Sequence, residues 1–300
     1  MKRWYQNGKV QAAIVTGVFA VIVTLIGLNR RPSEPPSPSP GPIMDAHAPK
    51  DTLGQVPSLM SKAITNRIQG EYDTAEKDFL ELIDRTPSPS SLSSQLENEL
   101  GIVYWLKWKK TREATLPGLA KLRFENAIRH RPESYPPRRN LAFLMYDTEQ
   151  YSQAKTMLKQ LLDVKPEDGS VHNELGLVMV ALGKQAPTSS RQRVYFDEAE
   201  QEFNWCIDNR FSLEWSHYNL ACLKTLSFNG DEVDSTTFDV VAGLLEKGVA
   251  VAGENWSQMM AYIGRFGPES DRDLARFRKH SGFDAWYARL RARPVAPRTG

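Results

Sequence analysis

From about residue 56 onward, apolar and polar positions alternate with the period of an α-helix, and groups of the same residue types return at fixed offsets. One group starts at Tyr72 and continues with a small residue three positions later, an aromatic residue after four more, an aliphatic residue after three more and a proline after five more. The same offsets start again at Tyr151. Because a helix turns once in about 3.6 residues, these positions share one helical face. The pattern predicts an all-α body of tandem amphipathic helices.

Three further stretches keep most of these offsets, and a second kind of helical segment precedes four of the five groups. The further stretches contain Ala120, Phe124, Ala127 and Pro132, then Phe196, Ala199, Phe203 and Cys206, and finally Phe238, Val241, Leu245 and Gly248. The preceding segments are Asn98-Glu99-Leu100-Gly101, Asn140-Leu141-Ala142, Asn173-Glu174-Leu175-Gly176 and Asn219-Leu220-Ala221. Their small residues allow a second helix to approach closely, and proline ends several units because it cannot continue a helix.

This arrangement resembles the tetratricopeptide repeat, a helix–turn–helix unit of about 34 residues with Leu-Gly, Ala, an aromatic residue and Pro at these offsets. The resemblance covers about residues 56–255 and implies a right-handed α-solenoid of about five helix pairs. The predicted units are 56–89, 94–134, 135–168, 169–213 and 214–255. Three of them exceed the repeat length, so we expect insertions between their helices, near 107–117, 184–195 and 226–237.

The carboxy-terminal end resembles the segment that often closes bacterial arrays of this kind, through Asp271-Arg272-Asp273-Leu274, Arg278 and Phe283. A stack of repeats exposes apolar surface at its end, so a charged outer layer is needed there. We therefore expect capping helices within 256–293 and a frayed tail at 294–300.

The chain before the repeats has a different pattern. Residues 10–28 carry no charge, and only Gln11, Thr16 and Thr24 among them are polar. As a helix, this segment is about 28 Å long, close to the roughly 30 Å hydrocarbon core of a bilayer. We expect a single transmembrane helix after a basic segment, 1–9. A cleaved signal peptide is the alternative, but the small residues of a cleavage site are missing.

Residues 29–55 are rich in proline and serine, which predicts an extended tether between the bilayer and the repeats. A proline-rich ligand for another domain is the alternative reading of this linker. Three basic side chains before the apolar segment and two after it slightly favour a body on the exported, extracytoplasmic side.

The composition and the motifs limit which partners and activities we expect. The net charge of +2, from 38 basic and 36 acidic residues, argues against a nucleic-acid partner. No phosphate-binding loop, zinc-protease motif or nucleophile elbow is present, so we expect no enzyme, metal or cofactor. His172 and His217 occupy equivalent repeat positions without evident metal ligands beside them. Cys206 and Cys222 fall on neighbouring predicted helices, as buried thiols or, in an exported body, as a disulfide.

The resemblance implies that the first helix of each pair lines a concave groove that binds a protein or peptide. The lining offsets select Asn98, Ile102, Trp105, Arg139, Phe143, Tyr146, Asn173, Leu177, Tyr218 and Cys222. Only Arg139 among these is basic, and Glu99 and Glu174 carry the wrong charge for binding a carboxylate. A clamp for a terminal carboxylate is therefore disfavoured. The expected function is a membrane-anchored scaffold or adaptor. The alternative is a regulatory or sensor module of a signalling, defence or envelope-assembly system.

Overall fold

The computed structural model describes residues 52–264 and 270–292, and every regular element in these ranges is helical. They contain 13 α-helices and two short 3₁₀ turns, which confirms the all-α prediction for this part of the chain. The predicted segments 1–9 and 10–28, nearly all of the 29–55 linker and the 294–300 tail lie outside the described residues. None of the helices in 52–264 and 270–292 has the length and apolar character needed to cross a bilayer.

Two compact units divide the chain between Ser134 and Tyr135. The amino-terminal unit, described from residue 52, contains α1 (Thr52–Ile68), α2 (Tyr72–Asp84), α3 (Ser91–Thr111) and α4 (Leu116–His130). The carboxy-terminal unit contains α5 (Tyr135–Asp147), α6 (Tyr151–Val164), α7 (Gly169–Gln185), α8 (Ser189–Asp208), α9 (Leu213–Ser227), α10 (Ser235–Val251), α11 (Trp256–Ile263), α12 (Ala275–Lys279) and α13 (Phe283–Arg291). Within each unit, the long helices from α1 to α4 and from α5 to α10 pack against their neighbours in the chain as consecutive pairs.

The small residues of the first helices hold these pairs together. In the amino-terminal unit, Gly101 of α3 faces the ring of Phe124 on α4 so closely that a Cβ atom there would lie 2.6 Å from the ring. In the carboxy-terminal unit, Gly176 of α7 faces Phe203 of α8 in the same way. Both rings are fully buried. The glycine–phenylalanine contacts therefore explain the spacing of small and aromatic residues in the sequence.

The residues of the predicted insertions mostly lengthen helices. α3 continues to Thr111, and α7 and α8 are separated only by 186–188, so 107–111 and most of 184–195 are helical. The added turns continue the helix–helix seam, because Gly183 of α7 meets the ring of Phe196 on α8. The connection at 228–234, between α9 and α10, is longer than the connections at 112–115 and 186–188 in the other two extended pairs.

The last helices are fixed on α9 by a buried polar contact within an apolar cluster that includes residues of α9 to α13. The hydroxyl group of Tyr218 on α9 donates to Asp271 Oδ2 at 2.7 Å. The same carboxylate accepts the backbone N–H of Asp273 at 2.8 Å, which starts the 3₁₀ turn Arg272–Leu274. Arg278 donates to the carbonyl oxygens of Asp271 and Tyr262. Tyr218 of α9 is thus covered by residues that lie about 50 positions later in the chain.

Candidate partner-binding groove

The carboxy-terminal unit has a shallow depression between α5, α6 and α7. Helices α5 and α7 are the first helices of two successive pairs, and α6 lies between them in the chain. The lining residues are Ala142, Phe143, Tyr146, Leu158, Glu174 and Leu177. Three of the predicted groove residues, Phe143, Tyr146 and Leu177, are therefore brought together here.

Helical spacing explains why these side chains meet. Phe143 and Tyr146 are three residues apart on α5, and Glu174 and Leu177 are three residues apart on α7, so each pair shares one helical face. Ala142 is completely buried, and its small side chain leaves room at the base of the depression. The rings of Phe143 and Tyr146 remain partly exposed. The result is an apolar, aromatic surface with a single acidic side chain.

The acidic side chain is held by an ion pair that uses only one of its oxygens. Arg139 of α5 donates from Nε and Nη2 to the same Glu174 oxygen, Oε1, at 3.1 and 2.9 Å. Glu174 is only 4% exposed, and its Oε2 has no hydrogen-bond partner among the described residues. Burial raises the pKa of Glu174 to about 8, although the Arg139 guanidinium opposes the shift. Glu174, which lines the depression, therefore keeps one oxygen that is buried from solvent and has no hydrogen bond among the described residues.

Contacts around this pair fix its orientation. The guanidinium of Arg139 lies 5.5 Å from the centre of the Phe143 ring, a cation–π distance. Asp168 accepts the backbone N–H groups of Ser170 and Val171 and so caps the start of α7. The Tyr135 hydroxyl group donates to the same Asp168 carboxylate at 2.9 Å. α5 is thus tied to the first turn of α7 at the end of the depression where Arg139 lies.

Several predicted groove residues do not lie on open surface. In the amino-terminal unit the side chains at positions 98, 102 and 105 are buried, so Asn98, Ile102 and Trp105 do not offer an accessible groove there. Tyr218, another predicted groove residue, is 1% exposed, and its hydroxyl group donates to Asp271 from a later segment of the chain. Cys222 is buried beside the same carboxylate.

Asn173 lies next to the depression but is not part of its lining. Its Oδ1 accepts a hydrogen bond from Nδ2 of Asn219 at 3.0 Å, which links α7 to α9. This amide therefore connects the first helices of two successive pairs, and its side chain is only partly buried.

Sequence reasoning missed the importance of Glu174. The same Asn-Glu-Leu-Gly motif occurs at 98–101, where Glu99 forms a buried ion pair with Arg67 of α1 at 3.1 Å. A buried Arg–Glu pair between successive first helices is thus a recurring feature of both units. The repeated motif was a signal for it, but the arginine partners precede their glutamates by different distances in the sequence.

Contacts within the fold account for His172 and His217. His172 Nε2 lies 2.7 Å from the carbonyl oxygen of Pro166, and its ring stacks on Trp205. His217 contacts the carbonyl oxygen of Leu213 in its own helix. Across 52–264 and 270–292, no three histidine, cysteine or acidic side chains are grouped as metal ligands.

Both cysteines are free thiols, and the disulfide alternative is not observed. The Cys206 thiol donates to the carbonyl oxygen of Gly169 at 3.4 Å, and Cys222 donates to Asp271. Burial raises the pKa of both thiols, which keeps them protonated and unreactive.

Comparison with known proteins supports the repeat assignment. A family model described as a tetratricopeptide repeat matches residues 116–175, from the start of α4 into α7. A thermophilic TPR protein from Thermus thermophilus is 16% identical with a TM-score of 0.46, covering 66% of this chain and 98% of that one. A tetratricopeptide repeat protein from Parabacteroides merdae is 15% identical with a TM-score of 0.38, covering 76% and 100%. No curated protein matches the sequence. The family match identifies a tetratricopeptide repeat within residues 116–175. The described residues on both sides of it form further helix pairs in an all-α fold.

Proposed function

We propose that this protein is a non-catalytic, membrane-anchored scaffold that binds a partner protein or peptide in the depression between α5, α6 and α7. The supporting observation is the partly exposed aromatic pair, Phe143 and Tyr146, beside Leu177. Aromatic side chains are enriched in protein interfaces and carry much of their binding energy. In the tetratricopeptide fold, the surface between successive first helices is where a partner is expected.

The shallowness of the depression favours the surface of a larger partner over a free small molecule. Pockets that bury small ligands usually enclose about 300–1,000 Å³. The depression is a shallow feature of the surface that does not enclose a ligand of that size. A partner that lies across it would gain most of its affinity from further contacts along α5 and α7.

The proposal can be tested by replacing Phe143 and Tyr146 together with aspartate. Tagged wild-type and variant chains would be purified from their native cells, partners identified by quantitative mass spectrometry, and binding of each purified partner measured directly. We expect at least a roughly tenfold loss of affinity in the double variant, since two aromatic contacts are replaced by charge. A Val194→Asp variant is the matched control, because Val194 is 56% exposed on α8 and does not line the depression. Equal partner binding by wild type and the double variant would refute the groove as the binding site.

The membrane anchor is proposed from the sequence of residues 10–28, with the repeats on the exported side. Deleting 10–28 should move the protein from the membrane fraction to the soluble fraction after carbonate extraction. In intact cells or spheroplasts, external protease should digest the repeats of the full chain. A repeat region that resists protease outside the cell but is digested after lysis would contradict the proposed orientation.

A further inference from the structure

The carboxy-terminal unit covers part of its own predicted groove face. The residue that follows the small residue of each first helix is Phe143 on α5, Leu177 on α7 and Cys222 on α9. The first two line the depression. Cys222 is buried instead, and its thiol donates to Asp271 Oδ2 at 3.5 Å. A later segment of the chain therefore covers, on α9, the position that lines the depression on α5 and α7.

The covering segment, residues 270–280, which we call the strap, contains little regular structure. It forms one 3₁₀ turn and α12, which has five residues. Helices this short are not stable without the contacts around them. Leu274 and Phe277 supply such contacts, because both side chains are completely buried in the apolar cluster beneath the strap. The strap is therefore held on the unit mainly by two apolar side chains.

One polar contact of the strap lies at the surface. Lys184 Nζ of α7 donates to Asp273 Oδ1 at 2.7 Å, and 40% of the Lys184 side chain is exposed. Burial raises the pKa of Asp273, and the neighbouring Asp271 carboxylate raises it further, while Lys184 opposes both effects. Closing the strap thus removes the Asp273 carboxylate from water beside a second carboxylate. The ion pair with Lys184 offsets this cost only in part, since exposed ion pairs stabilise weakly.

The helix after the strap has an attachment of its own. Trp286 of α13 donates from Nε1 to Glu246 Oε1 of α10 at 2.8 Å. Phe283 and Leu290 of α13 are completely or almost completely buried. The turn at 281–282 joins the strap to α13. α13 can therefore stay in place when the strap moves.

We propose that the strap opens and closes as a unit over α9 and so sets how much of the groove a partner can use. The closed strap limits the partner to the surface of α5, α6 and α7. The open strap exposes Tyr218 and Cys222 and extends the groove along α9. This inference rests on the proposed function, because it concerns the regulation of the same groove.

The two cysteines of the chain report separately on this motion. Cys222 lies under the strap. Cys206 of α8 is completely buried elsewhere, and its thiol donates to the carbonyl oxygen of Gly169 at the start of α7. Opening of the strap exposes only Cys222, whereas global unfolding exposes both thiols. The relative labelling of the two thiols therefore distinguishes a local opening from unfolding of the whole unit.

The test treats the full 300-residue chain in a mild detergent with iodoacetamide and follows each cysteine by mass spectrometry of tryptic peptides. Labelling rates of the urea-unfolded chain correct for the intrinsic reactivity of each thiol. After this correction, we expect Cys222 to be labelled at least about tenfold faster than Cys206. Equal labelling, or faster labelling of Cys206, would overturn the proposal, because the strap would then not open ahead of the rest of the unit.

A variant at the surface contact separates strap opening from any residual exposure of the thiol. Lys184→Gln removes the cation that pairs with Asp273, so labelling of Cys222 should become roughly threefold to fivefold faster, with no change at Cys206. Unchanged labelling of Cys222 in this variant would contradict the role of the strap.

Lys155→Gln is the matched control, because Lys155 of α6 forms a similar ion pair with Glu198 of α8, away from the strap. It should leave the labelling of both thiols unchanged, and the same acceleration as in Lys184→Gln would show a general effect on the unit and refute the assignment. None of these measurements needs a partner. The strap proposal can therefore fail while the test of the groove with the Phe143 and Tyr146 double variant still succeeds.

Discussion

Replacing Gly176 with alanine tests the packing that positions the groove. Gly176 lies on α7 between Glu174 and Leu177, with its Cα facing Phe203 of α8. A Cβ at position 176 would lie 2.5 Å from Cε1 and 2.9 Å from Cδ1 of that ring. The first distance is about 1 Å shorter than an ordinary carbon–carbon contact, and the ring is completely buried. α7 and α8 must therefore separate, or the ring must leave its position.

The expected magnitude follows from two opposing effects. Alanine is favoured over glycine inside a helix by about 1 kcal/mol. Forcing an extra methyl group into a well-packed core costs about 1–3 kcal/mol. Gly243 of α10 is a matched control, because a Cβ there would meet no heavy atom within 4 Å. Both variants gain the helix preference, so the difference between them isolates the steric effect. We expect Gly176→Ala to be less stable than Gly243→Ala by about 1–3 kcal/mol.

Urea denaturation followed by circular dichroism measures this difference through the midpoint and slope of unfolding. A second substitution, Phe203→Leu, should reduce the difference, because a smaller and more flexible side chain makes room for the new methyl group. Equal midpoints for Gly176→Ala and Gly243→Ala would refute the reasoning, since they would show that α7 and α8 are not held at a fixed separation by this contact.

Three further outcomes follow from the buried polar groups. Between about pH 4.5 and about pH 8 the Glu174 carboxyl group is protonated in the folded chain and ionised in the unfolded chain. Wild-type stability should therefore fall as the pH rises through this range, by up to about 1.4 kcal/mol per pH unit. Glu174→Gln should flatten this fall in urea titrations at each pH. Arg139→Met should cost about 3–5 kcal/mol at about pH 9, because it leaves a buried carboxylate without its cation, and less at about pH 6. Tyr218→Phe should cost about 1–3 kcal/mol in thermal unfolding, by removing the donor to Asp271.

The helix pairs could be predicted from the sequence because their signals are local and repeated. The small residue at position 176 and the aromatic residue at position 203 contact each other as the close approach of the paired helices requires. Local patterns could not show that the insertion near 184–195 lengthens α7 and α8. That outcome depends on Gly183 and Phe196, which add a further contact of the same kind across the seam.

The groove was predictable only in part, because lining offsets describe a helix without its surroundings. Phe143 and Leu177 line the depression as their offsets predict. Tyr218 has an equivalent position on α9 but is covered by Asp271 from a segment much later in the chain. The spacing of residues within α9 gives no information about this later segment. Burial at a repeat position is therefore a tertiary property, and sequence offsets give only the residues from which a site can be formed.

The two Arg–Glu pairs show how a difference between repeats can create a binding site. In the amino-terminal unit, Arg67 Nη2 lies 3.1 Å from Glu99 Oε2, so the pair joins α1 to α3. In the carboxy-terminal unit, Arg139 places both hydrogen bonds on Glu174 Oε1 and leaves Oε2 beside an aromatic depression. The motif around the two glutamates is identical, and Oε2 of Glu99 lacks a hydrogen bond within the described part of the chain, as Oε2 of Glu174 does. The two pairs differ in their surroundings, because Glu174 lines the depression and Glu99 does not. Repeat arrays can keep one packing scheme throughout and still acquire specificity wherever a buried group that lacks its full set of hydrogen bonds borders an accessible surface.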